Sequence, residues 1–216
     1  MNNTLLLVFS TSAISILAFN LPALKEKLLF RPASMLKGNE WYRFFTSGFI
    51  HADWEHLLFN MFSLYLFGVL VERAYLSHNY FSENGTTLFF TLYLSALPLS
   101  LLYSFIRYYK KYNYASLGAS GAVSAVIFSA ILIDPTMKIG LFIIPPIIPG
   151  YLFGPLFLIL SAWQGKKGRD NVNHAAHISG ALYGWVFTIA ALYVQHHSFD
   201  TINTFKKIMI NQLGVN

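Results

Sequence analysis

The sequence predicts an all-α membrane protein, a bundle of six transmembrane helices with a partly membrane-embedded first loop. Three observations carry that reading. Charged residues make up 11% of the chain, against about 25% in a soluble domain. Hydrophobic residues make up 55%, including 20 Phe and 13 Tyr. The few charges fall in short clusters that separate long charge-free runs.

Each run is read against the roughly 20 apolar residues that a helix needs to cross the bilayer core. Residues 5–24 form the first. Residues 1–24 carry no Asp, Glu, Lys or Arg, so the basic segment that opens a signal peptide is missing and the stretch is expected to stay as a first span. Residues 56–71, between Glu55 and Glu72, form a short second span that starts below the interface or thins the bilayer. The third covers 84–106 and ends at Arg107; the fourth lies within 112–133 and stops at Asp134-Pro135. The fifth lies within 139–165 and holds Pro145, Pro146, Pro149 and Pro155. Pro removes a backbone donor, so residues 138–149 are expected to form an apolar loop at membrane depth, with the helix beginning near Gly150. The sixth lies within 171–199. The connector 25–54 is too aromatic for a disordered linker and is expected to fold into the membrane surface. No repeat is visible, and residues 1–216 are expected to form one membrane domain with no added soluble domain.

Composition also excludes chemistry. Cysteine is absent, which removes disulfides, thiolate catalysis and Cys-ligated metal. The formal charge of +6 points to the lipid bilayer and its anionic headgroups rather than to nucleic acid. Neither phosphate-binding glycine motif is present, and no cofactor is expected. No metal is expected either: "HADWEH" has the letters of the zinc motif in the wrong order, and His174 and His177 lack an obvious third ligand.

Function is therefore sought in polar residues at membrane depth, which are costly and face a bundle interior or cavity. His56 and Asn60 are four apart, on one helix face; interhelical hydrogen bonding is the plain alternative to a chemical role. His177, Gly180 and Gly184 follow i, i+3, i+7, and the Gly-x-x-x-Gly pair lets two helices approach closely; packing with an incidental histidine is the alternative. Ser120 opens the fourth span amid Gly118, Gly121 and Ser124. Helix N-terminal N–H groups there would face a developing oxyanion, although a serine at that place also serves as a helix cap. Taken together, a serine and a histidine suffice to begin nucleophilic catalysis. Asp170, seven residues before His177, is the nearest soluble carboxylate and is expected in a loop, so a dyad is expected rather than a triad.

The motifs "HLLFN" at 56–60, "GASG" at 118–121 and "AHISGALYG" at 176–184 resemble, in order, those of the rhomboid intramembrane serine proteases. So do "EWYRFFTSGFIHADW" with Trp41 and Arg43, "FGVLVE" ending at Glu72, and the proline-bearing "IPPIIPG". The resemblance covers about residues 30–190. It implies a rhomboid-like six-helix bundle and a serine endopeptidase that cleaves single-span membrane proteins. It implies Ser120 as nucleophile and His177 as general base. It places His56, Asn60 and the loop glycine Gly118 at the oxyanion, with the Ser120 N–H as a further donor. Gly121, Gly180 and Gly184 become the close crossing that holds the dyad. The first loop and the fifth span match the parts that shape substrate entry. The oligomeric state is not readable. The alternatives are a non-catalytic rhomboid-like protein that binds or moves membrane clients, and a six-span transporter.

Two lines conflict on orientation. Connectors one, three and five hold eleven of the Lys and Arg residues; Arg73, Lys138, Lys206 and Lys207 lie on the other side. The positive-inside rule places the eleven in the cytoplasm. The resemblance implies the reverse, with cytoplasmic termini and an outward-facing serine. The latter is the expectation here, in a bacterial plasma membrane, which the lack of cysteine and of a long presequence favours over an organelle.

Overall fold

The computed structural model describes residues 2–141, 144–168 and 172–213. The chain runs α1 (Asn3–Asn20), α2 (Pro22–Leu28), α3 (Pro32–Gly38), α4 (Arg43–Thr46), α5 (Trp54–Leu76), α6 (Gly85–Tyr108), α7 (Ser120–Ile133), β1 (Lys138–Leu141), β2 (Ile144–Pro149), α8 (Gly150–Lys167), α9 (His174–His196) and α10 (Asp200–Leu213). Among the described residues four helices are long and apolar enough to cross a membrane: α1, α5, α6 with its preceding turn, and α9. At 14 residues, α7 is shorter than a span, and α8 is not among the four.

Every residue of α7 from Gly121 to Leu132 is buried. A helix apolar all round belongs in the middle of a bundle, and α5, α6 and α9 enclose it. The seam with α9 is the closest. A Cβ on Gly180 would overlap the Gly121 carbonyl, and one on Gly184 would overlap the Ala125 carbonyl. Glycine is the only residue that permits this backbone approach.

The second span is longer than its charges suggested. Glu55 lies in the first turn of α5, and Glu72 lies inside the helix, 3% exposed. The Glu72 carboxylate accepts from the backbone N–H of Asn3 and Thr4 and from both their side chains, at 2.6–2.9 Å. It thereby caps the N-terminus of α1, where orphan donors and the helix dipole favour an anion. The first span is shorter at its far end than expected, because Pro22 opens a new helix.

Within the expected loop, Lys138–Leu141 and Ile144–Pro149 are antiparallel strands, pairing Lys138 with Pro149, Ile139 with Ile148 and Leu141 with Ile144, while residues 142 and 143 lie outside the described residues. Pairing supplies the backbone bonds that an apolar segment needs at depth, and an irregularity between Ile139 and Leu141 accommodates prolines that donate none. The helix after it begins at Gly150 as expected.

The first connector is folded. Arg43, 6% exposed, donates to Glu40 at 2.7 Å and to the carbonyls of Glu26 (2.9 Å) and Leu29 (2.7 Å). Phe44 packs between Phe30 and Phe105, pinning the connector to α6.

Candidate active site

The loop that enters α7 is held group by group. Phe30 and Ser116 exchange two backbone bonds, each 3.0 Å. The Gly118 N–H donates to the Ser47 carbonyl at 2.9 Å. Gly118 has φ 114°, a region closed to residues with a Cβ. A Cβ there would also stand 2.7 Å from Cε1 and 2.8 Å from Nε2 of His56. Glycine is thus required twice, by the turn and by the imidazole laid against it.

The next N–H, that of Ala119, donates to Nε2 of His51 at a long 3.4 Å. An imidazole that accepts at Nε2 carries its proton on Nδ1, which then donates to Ser15 Oγ on α1 at 3.1 Å. His51 is fully buried. Burial, reinforced by the adjacent His56, holds its imidazole down at about 3, so it remains neutral and keeps its acceptor. The sequence reading missed this residue, which stands in a connector where no periodicity marks it.

Ser120 is the first residue of α7. The capping position belongs to Ala119, which offers no side-chain bond. The Ser120 hydroxyl instead meets His177 Nε2 at 2.8 Å. Both residues are half-buried. His177 lies in the first turn of α9, whose cap Asn173 accepts from the Ala176 N–H at 3.2 Å. The Gly180 and Gly184 crossing sets the distance between the two helices. Phe157 of α8 stacks on the His177 ring at 6.1 Å, and His174 meets it edge-on at 5.8 Å. Phe157 was also missed, being one aromatic among many in an apolar run. Asp170 lies outside the described residues.

His56 opens α5 behind the cap Asp53, whose carboxylate accepts from the His56 N–H at 2.8 Å. The Ala52 N–H points at His56 Nδ1 at 3.5 Å, which leaves Nε2 as the protonated nitrogen facing Gly118. Asn60 stands one turn on, buried, with its amide turned back to the His56 carbonyl at 2.9 Å. The structure therefore gathers Ser120, His177, Gly118 and His56, and ties Asn60 to its own helix beside them. Gly121 is pressed from two sides: its carbonyl lies against Gly180 at the seam, and a Cβ on it would overlap Ser100 Oγ of α6.

A cavity of about 380 Å³ lies between α5 and α8, walled by side chains such as Phe59, Phe62 and Phe153, and it reaches His177. Among the described residues no three His, Cys, Asp or Glu side chains gather as metal ligands.

The family model for the Rhomboid domain matches residues 38–194. Over 154 residues the chain is 32% identical to Rhomboid-like protein 11, chloroplastic, of Arabidopsis thaliana, covering 68% of this chain and 51% of that protein. It is 25% identical over 172 residues to Rhomboid protease AarA of Providencia stuartii, covering 73% and 58%. It is 30% identical over 165 residues to Rhomboid protease GluP of Bacillus subtilis, covering 74% and 27%. The chain thus spans about half the length, or less, of several curated relatives it matches.

Proposed function

The chain belongs to the rhomboid family of membrane proteins, and from that premise we propose that it is an intramembrane serine endopeptidase. The observation that carries the reading is the 2.8 Å contact between Ser120 Oγ and His177 Nε2 at the head of α7, beside a cavity that opens between two helices.

In this mechanism His177 Nε2 takes the Ser120 hydroxyl proton as Oγ bonds to the scissile carbonyl carbon. The negative charge that develops on the carbonyl oxygen meets the Ser120 N–H and His56 Nε2–H, donors fixed before the reaction. Collapse breaks the C–N bond, and the imidazolium returns the proton to the leaving amine. Water, deprotonated by His177, then attacks the ester and releases the acid with Ser120 regenerated. A helical substrate must unwind locally, because its carbonyls are tied up in hydrogen bonds. Its class is the single-span membrane protein, received through the α5–α8 cavity.

The deciding experiment is reconstitution with a labelled transmembrane substrate and a fluorophosphonate probe. Cleavage and labelling at Ser120, both lost in Ser120→Ala, support the protease. A folded chain that binds such substrates but never cleaves or labels supports the non-catalytic alternative.

We also propose that residues 1–216 act as one membrane domain, with cytoplasmic termini and Ser120 facing outward in a bacterial plasma membrane. Two observations favour discounting the charge count: Arg31 is paired with Glu26 and Arg43 with Glu40, so part of the excess is structural. A reporter active only in the cytoplasm, fused after Asn216, should be active; silence there with activity of a periplasmic reporter reverses the orientation.

A further inference from the structure

Two of the basic residues on the Ser120 side are neutralised by carboxylates, and a second group is not. Lys37, Arg107, Lys110 and Lys111 are all exposed. Among the described residues the ion pairs join only Arg31 to Glu26 and Arg43 to Glu40. The four cations rest on tyrosine rings instead. Lys37 Nζ stands 4.7 Å from the Tyr112 centroid, and Lys110 Nζ 5.3 Å from that of Tyr109. Arg107 and Lys111 both address Tyr108, at 5.8 and 5.4 Å. Tyr108 is itself stacked on Tyr114 at 3.9 Å. The rings hold the cations in place without cancelling their charge.

Depth in the bilayer identifies the partner. The patch begins in the last turn of α6. Just before it, Tyr103 and Ile106 are 53% and 69% exposed, as befits a lipid-facing surface. A membrane-spanning helix followed by exposed tyrosines, here Tyr109 and Tyr112, places them at the headgroup level, where amphipathic rings belong. Arg107 in the last turn of α6 and Lys37 in the last turn of α3 each answer a helix dipole; that does not account for Lys110 and Lys111 beyond them. Lysine and arginine at this level attract anionic lipid, while tyrosine hydroxyls and cationic N–H groups both donate to phosphate oxygens.

We propose that this basic tyrosine patch, formed by Lys37 and the segment 107–112, is a binding surface for anionic phospholipid headgroups, of which phosphatidylglycerol is the probe. It anchors the connector that leads into α7 to the membrane surface. The surface stands independently of any catalytic role for Ser120.

The test uses the purified full chain in phosphatidylcholine bicelles, with increasing fractions of phosphatidylglycerol. Thermal midpoints and lipid retained in native mass spectra are read together. Phosphatidylglycerol should be retained and should raise the midpoint, and both effects should fade as salt screens the charges. Each cation is worth about fivefold in affinity, so Lys111→Gln should lose about fivefold. Replacing all four with Gln should abolish the preference while leaving the phosphatidylcholine midpoint unchanged. If the fourfold variant does not fold, the charge-preserving replacement of the three lysines by Arg must keep the preference in its place. Equal retention of the two lipids by the unaltered chain, or retention indifferent to salt, overturns the proposal. So does a rise in midpoint with an acidic peptide and none with phosphatidylglycerol, which would make the patch a polypeptide-binding surface.

Discussion

The α7–α9 seam carries hydroxyls at both ends, and the two ends have opposite characters. At one end Ser120 meets the His177 imidazole, half-buried beside a cavity. At the other, Ser129 meets Thr188 at 2.8 Å and Tyr75 of α5 at 3.0 Å, while Thr188 also meets Tyr75 and the Gly184 carbonyl, each at 2.8 Å. All three of these residues are buried. Their three hydroxyl protons are shared among four contacts, so each oxygen is committed to a neighbouring hydroxyl or carbonyl. The same side-chain chemistry is thus closed into a structural knot at one end and held open against a base at the other. The partner and the access differ, and on the proposed mechanism those decide which hydroxyl reacts.

The sharpest break of the comparison is at the open end. Ser120→Ala and His177→Ala should each lower kcat by roughly 10⁴-fold or more, and the double variant should be little worse, because groups that act as a unit are non-additive. The thermal midpoint should hardly move. His174→Ala should keep far more activity. Loss at His174 with survival at His177 would reassign the base.

Next in size is the anion site, where the structure separates two residues that the sequence treated alike. His56→Ala should cost about 2.7–4 kcal/mol in the transition state, read as a fall in kcat with KM little changed. Asn60→Ala should cost less, because the Asn60 amide is engaged by the His56 carbonyl. Equal losses would mean that Asn60 turns toward the substrate during the reaction.

At the closed end the expectation inverts. Tyr75→Phe leaves Ser129 and Thr188 short of a partner inside the bundle and should cost about 1–3 kcal/mol of stability. Below the lowered midpoint, kcat should stay near that of the unaltered chain. A large fall in kcat at full stability would show that the two ends are coupled along the seam.

Much of this was legible beforehand, for physical reasons. Charge-free runs located the long helices because lipid tolerates few ions, and the glycine spacing located the crossing because only glycine permits it. Ser120 and His177 stood out as polar groups at depth. Charge was misleading where a carboxylate is satisfied internally: Glu72 looked like a boundary and is a cap. Ser120 was placed at the start of the fourth span, where α7 begins, but what fixes the loop before it was not legible, since positive φ at Gly118 and the bonds to Ser47 and His51 are tertiary facts. The α10 helix was missed because Asp200, Lys206 and Lys207 break its apolar pattern. His51 and Phe157 act through neighbours that come from distant elements.

The effect confined to acid pH concerns His51, which links the open end to α1. Its folded imidazole is held near 3 by burial, against about 6.5 when unfolded. The folded state therefore binds fewer protons between those values, and stability must rise with pH across that window. Put the other way, the His51 contribution is complete above about 6.5 and is lost as pH falls toward 3. The slope from one such group is at most about 1.4 kcal/mol per pH unit, so at pH 5 the chain should be weaker by roughly 2 kcal/mol than at neutrality on this account. His51→Gln tests it without emptying the site. The amide oxygen can accept from Ala119 and the NH₂ can donate to Ser15, but the side chain does not titrate. Thermal midpoints of the two proteins, measured from pH 5 to 8, should run together at the upper end. The unaltered chain should then fall more steeply on the acid side. Parallel curves would show that His51 is protonated in the fold, and that a different contact holds the Ala119 N–H.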